Sequence, residues 1–197
     1  MNQPTTRRIT IIDYHPAWVE EFAVAASTLR KALGDLALRV DHIGSTAVPG
    51  LPAKDIIDVQ VTVRDITSEL ETAFQEGGYQ RNVGITHDHQ PPGTTPDDAR
   101  NWEKQFYNAP SNLRPTNIHA RRAGSVNGRY ALLFRDYARA HPLAAAAYAR
   151  TKKALAAHGE TDWDLYYDVK DPVCDIIMAA AEDWAAATDW RIEHFVR

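Results

Sequence analysis

The residues of this chain best suited to chemistry lie around a short connection between two predicted strands. The stretch DHIGSTAVPGLPAKDIIDVQV, residues 41–61, places Gly44 and Ser45 after one strand and Asp58 within the next. A Gly-Ser turn lets the backbone approach a phosphate closely and offers N–H and hydroxyl donors to its oxygens. A carboxylate on the next strand can hold a divalent metal that bridges phosphate oxygens. The spacing therefore indicates a phosphate and metal site, although a Gly-Ser pair alone is more often a plain turn.

The strand that carries Asp58 is predicted over residues 56–63. Side chains alternate between the two faces of a strand, so its two faces can be read from the sequence. One face carries Ile57, Val59, Val61 and Val63, and the other carries Ile56, Asp58, Gln60 and Thr62. Asp58 therefore points away from the apolar face.

Four basic residues are candidates for binding phosphate: Lys54, Arg135, Lys152 and Lys170. Lys54 can contact phosphate as a point charge, or it can pair with a neighbouring aspartate. Arg135 and Lys152 lie on predicted helices and Lys170 lies at the start of the last one, where ion pairs that dock the helices on the sheet are the alternative role.

His42 and His119 lie on two predicted strands and are candidates for a general base or an orienting group, since a neutral imidazole accepts a proton near pH 7. A hydrogen-bonded structural histidine is the alternative for each. His87-Asp88-His89 has the spacing of a metal-binding pair of histidines, but it opens the stretch THDHQPPGTTPDDAR, whose composition is typical of a mobile surface loop.

The elements that must position these residues follow from hydrophobic periodicity. The first helix, within residues 15–34, has an apolar stripe of Trp18, Phe22, Ala25, Leu29 and Leu33. Strands are predicted within residues 38–44, 56–63, 79–85, 104–109 and 116–120, and a second helix within 65–78. Three helices follow within residues 127–141, 142–159 and 171–187, the last with Asp171 as N-cap, Pro172 at its first position, and a buried stripe of Val173, Ile176, Ile177, Ala180 and Trp184.

The whole chain has the composition of an ordinary folded domain. It has 197 residues, 44% of them hydrophobic, and a formal net charge of −4, which gives no reason to expect nucleic acid or an anionic membrane as partner. Its single cysteine excludes an intrachain disulfide, and no signal peptide or membrane span is recognisable. We therefore expect a cytoplasmic protein with a small-molecule substrate.

The motif HIGSTAVPGLPAKDIID closely resembles the defining motif of the GrpB family, which is placed in the nucleotidyltransferase superfamily. The similarity continues in YHPAWVEEF before it and in NIHARRAGS, FRDYARAHP, YARTKKALA and YYDVKDPV after it. Several motifs in the same order, over almost the whole chain, identify the chain as a member of this family.

The resemblance implies a fold and a ligand. It implies an α/β (α+β) fold with a nucleotidyltransferase-like mixed sheet, an α/β core over residues 1–125, and a helical part over residues 126–197 that packs on the core as one compact unit. Gly44 and Ser45 would contact a triphosphate, ATP or another nucleoside triphosphate, and Asp58 would hold Mg²⁺ or Mn²⁺. The superfamily's second carboxylate is replaced by Gln60, and Asp55, where the family usually has proline, is the candidate substitute.

These residues lead to two alternative functions. The first is transfer of a nucleotidyl or phosphoryl group to a small acceptor, with ATP-driven ligation as a variant. The second is a nucleotide or metabolite binding module that does not catalyse a reaction. The neutral Gln60 and His119, at positions where the superfamily's pattern favours acids, support the second alternative.

Overall fold

The structure, a computed structural model, describes residues 9–95, 98–157 and 163–192. Its helices are α1 (Trp18–Leu33), α2 (Ser68–Glu76), α3 (Ala99–Trp102), α4 (Val126–Ala140), α5 (Pro142–Ala157) and α6 (Trp163–Thr188). Its strands are β1 (Arg39–Ile43), β2 (Ile57–Val63), β3 (Gln80–Arg81), β4 (Gln105–Asn108) and β5 (Thr116–Arg122). The polar arm up to residue 8, and residues 158–159 of the helix predicted within 142–159, lie outside the described residues. Across the described ranges, no helix combines the length and apolar character needed to cross a membrane.

The strands form one mixed sheet in the order β1-β2-β5-β4-β3. β2 and β5 run parallel, whereas the other neighbouring pairs are antiparallel. Asp58 of β2 lies opposite Ile43 of β1 and Asn117 of β5, and Gln60 lies opposite His119. The mixed sheet and the α+β class expected from the sequence are confirmed.

The two faces of the sheet meet different layers. The apolar residues of β2 and β5 pack against α1 and α2, and Ile57, Val59 and Val61 have no exposed surface. A second apolar cluster joins α4, α5 and α6 to Val48 and Leu51 of the loop after β1. The polar face of β2 and β5 turns towards this helical layer, as shown by the hydrogen bond from Gln60 Nε2 to the Gly128 carbonyl of α4, at 3.3 Å.

The last helix begins earlier than the sequence predicts. Pro172 lies inside α6, which is already helical at Trp163, so Asp171 is not its N-cap. Tyr166, two turns before Pro172, is only 1% exposed, and its burial holds this segment against the core. The buried face also differs: Cys174 and Met178 are buried, whereas Ile176 of the predicted stripe is 72% exposed.

Candidate functional site

A cavity of about 540 Å³ opens between the polar face of the sheet and the helical layer. Seven predicted site residues line it: Gly44, Ser45, Lys54, Asp58, His119, Lys152 and Lys170. They come from β2, β5, α5, α6 and the loop after β1, so the tertiary fold brings together residues up to 126 positions apart in the chain, from Gly44 to Lys170.

The turn at Gly44 strongly favours glycine. Gly44 has φ 68° and ψ −167°, a conformation that other residues rarely adopt. A Cβ atom at Gly44 would lie 2.6 Å from Asp58 Oδ2. The missing side chain therefore allows the turn and the carboxylate to share one corner of the cavity.

Asp58 is a carboxylate with limited access to water. Asn117 Nδ2 donates a hydrogen bond to its Oδ1 at 3.0 Å, and its side chain is 28% exposed. Burial raises the pKa of Asp58, and the positive charge of Lys54 and the Asn117 hydrogen bond partly oppose this rise. A cation beside Asp58 would therefore favour its ionised form.

Lys152 reaches from α5 to the Gly-Ser turn. Its Nζ lies 2.7 Å from Ser45 Oγ and 2.6 Å from the Pro52 carbonyl oxygen, and the residue is 2% exposed. Burial lowers the pKa of Lys152 to about 7, outweighing the opposite influence of Cys174. The turn is thus held by an amine that changes its charge near neutral pH.

Lys54 and Lys170 lie on the side of the cavity formed by α6. Lys54 Nζ lies 4.9 Å from the Trp163 ring centroid and 3.4 Å from the Tyr167 hydroxyl. Lys170 Nζ lies 2.5 Å from Asp171 Oδ1. Burial lowers the pKa of Lys170, but Cys174 and Asp171 outweigh burial, so its pKa is raised and its ammonium stays charged.

A buried ionic cluster forms another wall, and the sequence did not predict it. Asp88 Oδ1 accepts from Lys104 Nζ at 2.6 Å, and Asp88 Oδ2 accepts from Arg121 Nε at 2.8 Å and Asn127 Nδ2 at 2.9 Å. Burial raises the pKa of Asp88, but Arg121 and Lys104 outweigh it and hold this pKa far below its usual range. Asp88 is therefore an anchor of the sheet and not part of a loop that only faces solvent.

This cluster determines the tautomer and the protonation state of His119. Lys104 Nζ and Arg121 Nη2, which are donors, lie 3.3 Å and 3.4 Å from His119 Nδ1. Nδ1 must therefore be the acceptor, which leaves the ring proton on Nε2, 4.0 Å from Asp58 Oδ1. Burial and the charges of Arg121 and Lys104 lower the pKa of His119 well below its ordinary value. The geometry suits His119 as a neutral hydrogen-bond donor to a ligand, in place of the predicted general base.

Three predicted site residues do not line the cavity. His42 pairs with Val59 and its ring stacks on Phe22 of α1, so it lies on the opposite face of the sheet from Asp58. Asp55 lies three positions from Asp58, and its side chain points away from the cavity. It accepts hydrogen bonds from Trp18 Nε1 and Arg114 instead. Arg135 donates to the His42 carbonyl and to Asp136, next to a separate cleft.

The residues present do not fit the acidic magnesium site that the superfamily resemblance implies. Gln60 Oε1 accepts from Arg121 Nη1 at 2.7 Å, so a guanidinium takes the position beside it. With Asp55 directed elsewhere, Asp58 is the carboxylate that remains on this strand face. In the described part of the chain, no group of three or more His, Cys, Asp or Glu side chains could hold a metal ion. His89 of the predicted histidine pair instead contacts Asp175 at 2.9 Å.

Fold and site together define an α+β protein with a lysine-rich cavity between a mixed sheet and a helical layer. Residues 8–180 match the family model described as GrpB protein, and the chain belongs to this family. The crystal structure of GrpB from Enterococcus faecalis is similar, with a TM-score of 0.67, 28% identity, and coverage of 89% of this chain and 99% of that one. A UPF0157 protein of Halalkalibacterium halodurans is 34% identical over 91% of this chain and 85% of its own length.

Relatives with another name are longer. A dephospho-CoA kinase of Mycolicibacterium paratuberculosis is 36% identical over 93% of this chain, and the match covers 48% of that protein. A dephospho-CoA kinase of Mycobacterium tuberculosis (strain ATCC 25618 / H37Rv) is 35% identical, again over 48% of its length. The chain thus spans about half the length of these curated relatives.

Proposed function

We propose that the cavity binds a nucleoside triphosphate and that the protein transfers a nucleotidyl or phosphoryl group from it to a small acceptor. The observation that carries this proposal is that Lys54, Lys152 and Lys170 line one cavity together with the turn formed by Gly44 and Ser45, and that Lys152 contacts Ser45. Ammonium groups and turn donors stabilise phosphate oxygens, and a cavity of about 540 Å³ is within the usual size range of small-molecule sites.

Catalysis in this proposal depends on alignment and on charge. The lysines hold the phosphates and stabilise negative charge that develops on them, while His119 Nε2–H donates to a ligand oxygen. A divalent metal remains a prediction from the family resemblance, and no step is assigned to it because the ligand set around Asp58 does not fit.

A ligand screen tests the binding step. The melting temperature of the protein is measured with each of the four nucleoside triphosphates, with Mg²⁺, with Mn²⁺ and with a chelator. A ligand at 100 times its dissociation constant stabilises the folded state by about 2.7 kcal/mol. The Lys54→Met variant should lose the shift, whereas Lys153→Met should keep it, because Lys153 contacts Asp13 on the surface. No shift with any triphosphate would refute the proposal.

A binding module without catalysis is the second candidate. It is favoured by the relatives named dephospho-CoA kinase, in which a segment similar to this chain makes up about half of a longer protein. The neutral Gln60, bonded to Arg121, also supports it. Dephospho-CoA therefore belongs in the ligand screen. A ligand that binds tightly and is recovered unchanged after incubation with candidate acceptors would select this function over transfer.

A further inference from the structure

Ser45 and Lys152 form a contact that phosphate binding alone does not require. The lysine amine lies 2.7 Å from Ser45 Oγ and is fixed from another side by the Pro52 carbonyl oxygen, at 2.6 Å. It also lies 4.7 Å from the centroid of the Tyr148 ring, which packs beside it on α5. The amine is thus aimed at one hydroxyl, and Ser45 itself is only partly buried and lines the cavity.

The surroundings of Lys152 allow it to give up its proton. Burial has the largest influence and lowers its pKa; Lys170 and Lys54 act in the same direction, and Cys174 and Asp58 act against it. A neutral amine can donate one N–H to the Pro52 carbonyl and accept the Ser45 hydroxyl proton on its lone pair. The charged amine can only donate, so the two protonation states give Ser45 different roles.

We propose that Ser45 is a nucleophile and Lys152 its general base in a covalent transfer of a phosphoryl or nucleotidyl group. This inference deepens the proposed function and rests on it for the identity of the natural substrate. The pair follows the general pattern of a nucleophile activated by a neighbouring base, with the base oriented by a third group, here the Pro52 carbonyl.

The transfer proceeds in two steps. Ser45 Oγ attacks phosphorus and forms an O–P bond while the bond from phosphorus to the leaving oxygen breaks, which releases pyrophosphate in nucleotidyl transfer or a nucleoside diphosphate in phosphoryl transfer. The Ser45 proton passes to Lys152 Nζ. In the second step an acceptor hydroxyl attacks phosphorus and gives its proton to water, and the Ser45 O–P bond breaks. Lys152 then returns its proton to Ser45 Oγ.

A fluorophosphonate probe tests the pair without knowledge of the substrate. The probe phosphonylates activated serines with loss of fluoride, and intact mass with peptide mapping locates the adduct. We expect one adduct on Ser45, formed faster as pH rises through about 7. Lys152→Arg, which keeps a charge and donors but cannot act as a base, should react on the order of 10²–10⁴-fold more slowly. Lys153→Met, next in sequence and outside the contact, should react like the wild type.

The outcomes separate this inference from the proposed function. An adduct on Ser45 at equal rates in wild type and Lys152→Arg would overturn the role of Lys152. No adduct on Ser45, with triphosphate binding intact, would overturn the nucleophile and leave the binding proposal standing. A base-dependent adduct in a protein that binds no triphosphate would support the pair and refute the nucleotide. Ser45→Ala, which lacks the hydroxyl and should form no adduct, confirms the modified position.

Discussion

Replacing Asp88 by asparagine should strongly destabilise the protein. The carboxylate accepts from Lys104, Arg121 and Asn127, and its side chain is 16% exposed. The amide keeps the shape but loses the charge and turns an NH₂ group towards donors. Removing one partner of a buried ion pair costs about 3–5 kcal/mol, because the remaining charge stays buried without compensation. For a chain of this size, that loss lowers the melting temperature by roughly 6–20 °C.

Urea denaturation of the wild type and two variants measures the effect. The matched control is Asp65→Asn, which breaks an ion pair with Arg122 at a side chain that is 47% exposed and should cost no more than about 1 kcal/mol. The slope against urea should stay the same in all three proteins, since the fold does not change. A loss below about 1 kcal/mol in Asp88→Asn would show that the cluster does not stabilise the sheet.

The pH dependence of Asp88→Asn adds an independent check. The pKa of Asp88 is depressed in the folded state, so its contribution is complete above the unfolded value of about 3.9 and is lost as pH falls below it. The wild type should therefore lose more stability than Asp88→Asn between pH 5 and pH 3. Parallel losses in the two proteins would mean that another group is responsible for the acid sensitivity.

Three further predictions concern the turn, the opposite face of the sheet and the metal. Gly44→Ala should cost about 1–3 kcal/mol and abolish triphosphate binding, and adding Asp58→Ala should recover part of the stability; Gly50→Ala, also at positive φ but with open space around it, controls for backbone strain. Burial, with a smaller contribution from nearby arginines, lowers the pKa of His42 to about 4 in the folded state. Between pH 7 and pH 5 the free energy of unfolding of the wild type should therefore fall by about 2 kcal/mol more than that of His42→Gln. Urea denaturation measures both, and equal losses would contradict this prediction. In Gln60→Asp, magnesium should raise the melting temperature no more than in the wild type, because the new carboxylate would pair with Arg121. A larger rise in this variant would show that the substitution creates a metal site.

Local patterns in the sequence were sufficient to predict most of the elements. The alternation along β2 correctly assigned Ile57 and Val59 to the core and Asp58 to the other face, because strand geometry leaves only two faces. The start of α6 was predicted wrongly, since Pro172 favours a first helical position only when nothing before it is helical. The helix starts earlier because Tyr166 is buried against the core, and this burial depends on the tertiary structure.

In the site as well, residues of one local motif could be predicted, whereas residues that meet only in the tertiary structure could not. Gly44 and Asp58 were recognised because they lie 14 positions apart in one motif. Gly44 directly follows Ile43, the residue of β1 that pairs with Asp58. The alternation along β1 already separates His42 from Ile43, which lines the cavity and pairs with Asp58, so the position of His42 could have been found. Asp88 and Lys104 offered no such signal, because their contact joins a loop to the residue just before β4, 16 positions away.

The charges on the polar face indicate how this cavity differs from a two-carboxylate metal site. In such a site acidic side chains hold metal ions, and the metal supplies positive charge to the phosphates. Here Arg121 of β5 is bonded to Gln60 and Asp88 on the polar face, and Lys54 and Lys170 line the same cavity. Positive charge is therefore already built into the strands and helices. If these cations serve in place of the metal, triphosphate affinity should fall with salt and be nearly the same in Mg²⁺ and in chelator. Triphosphate affinity that depends strictly on Mg²⁺ would show that the metal, and not these side chains, supplies the positive charge that binds the phosphates.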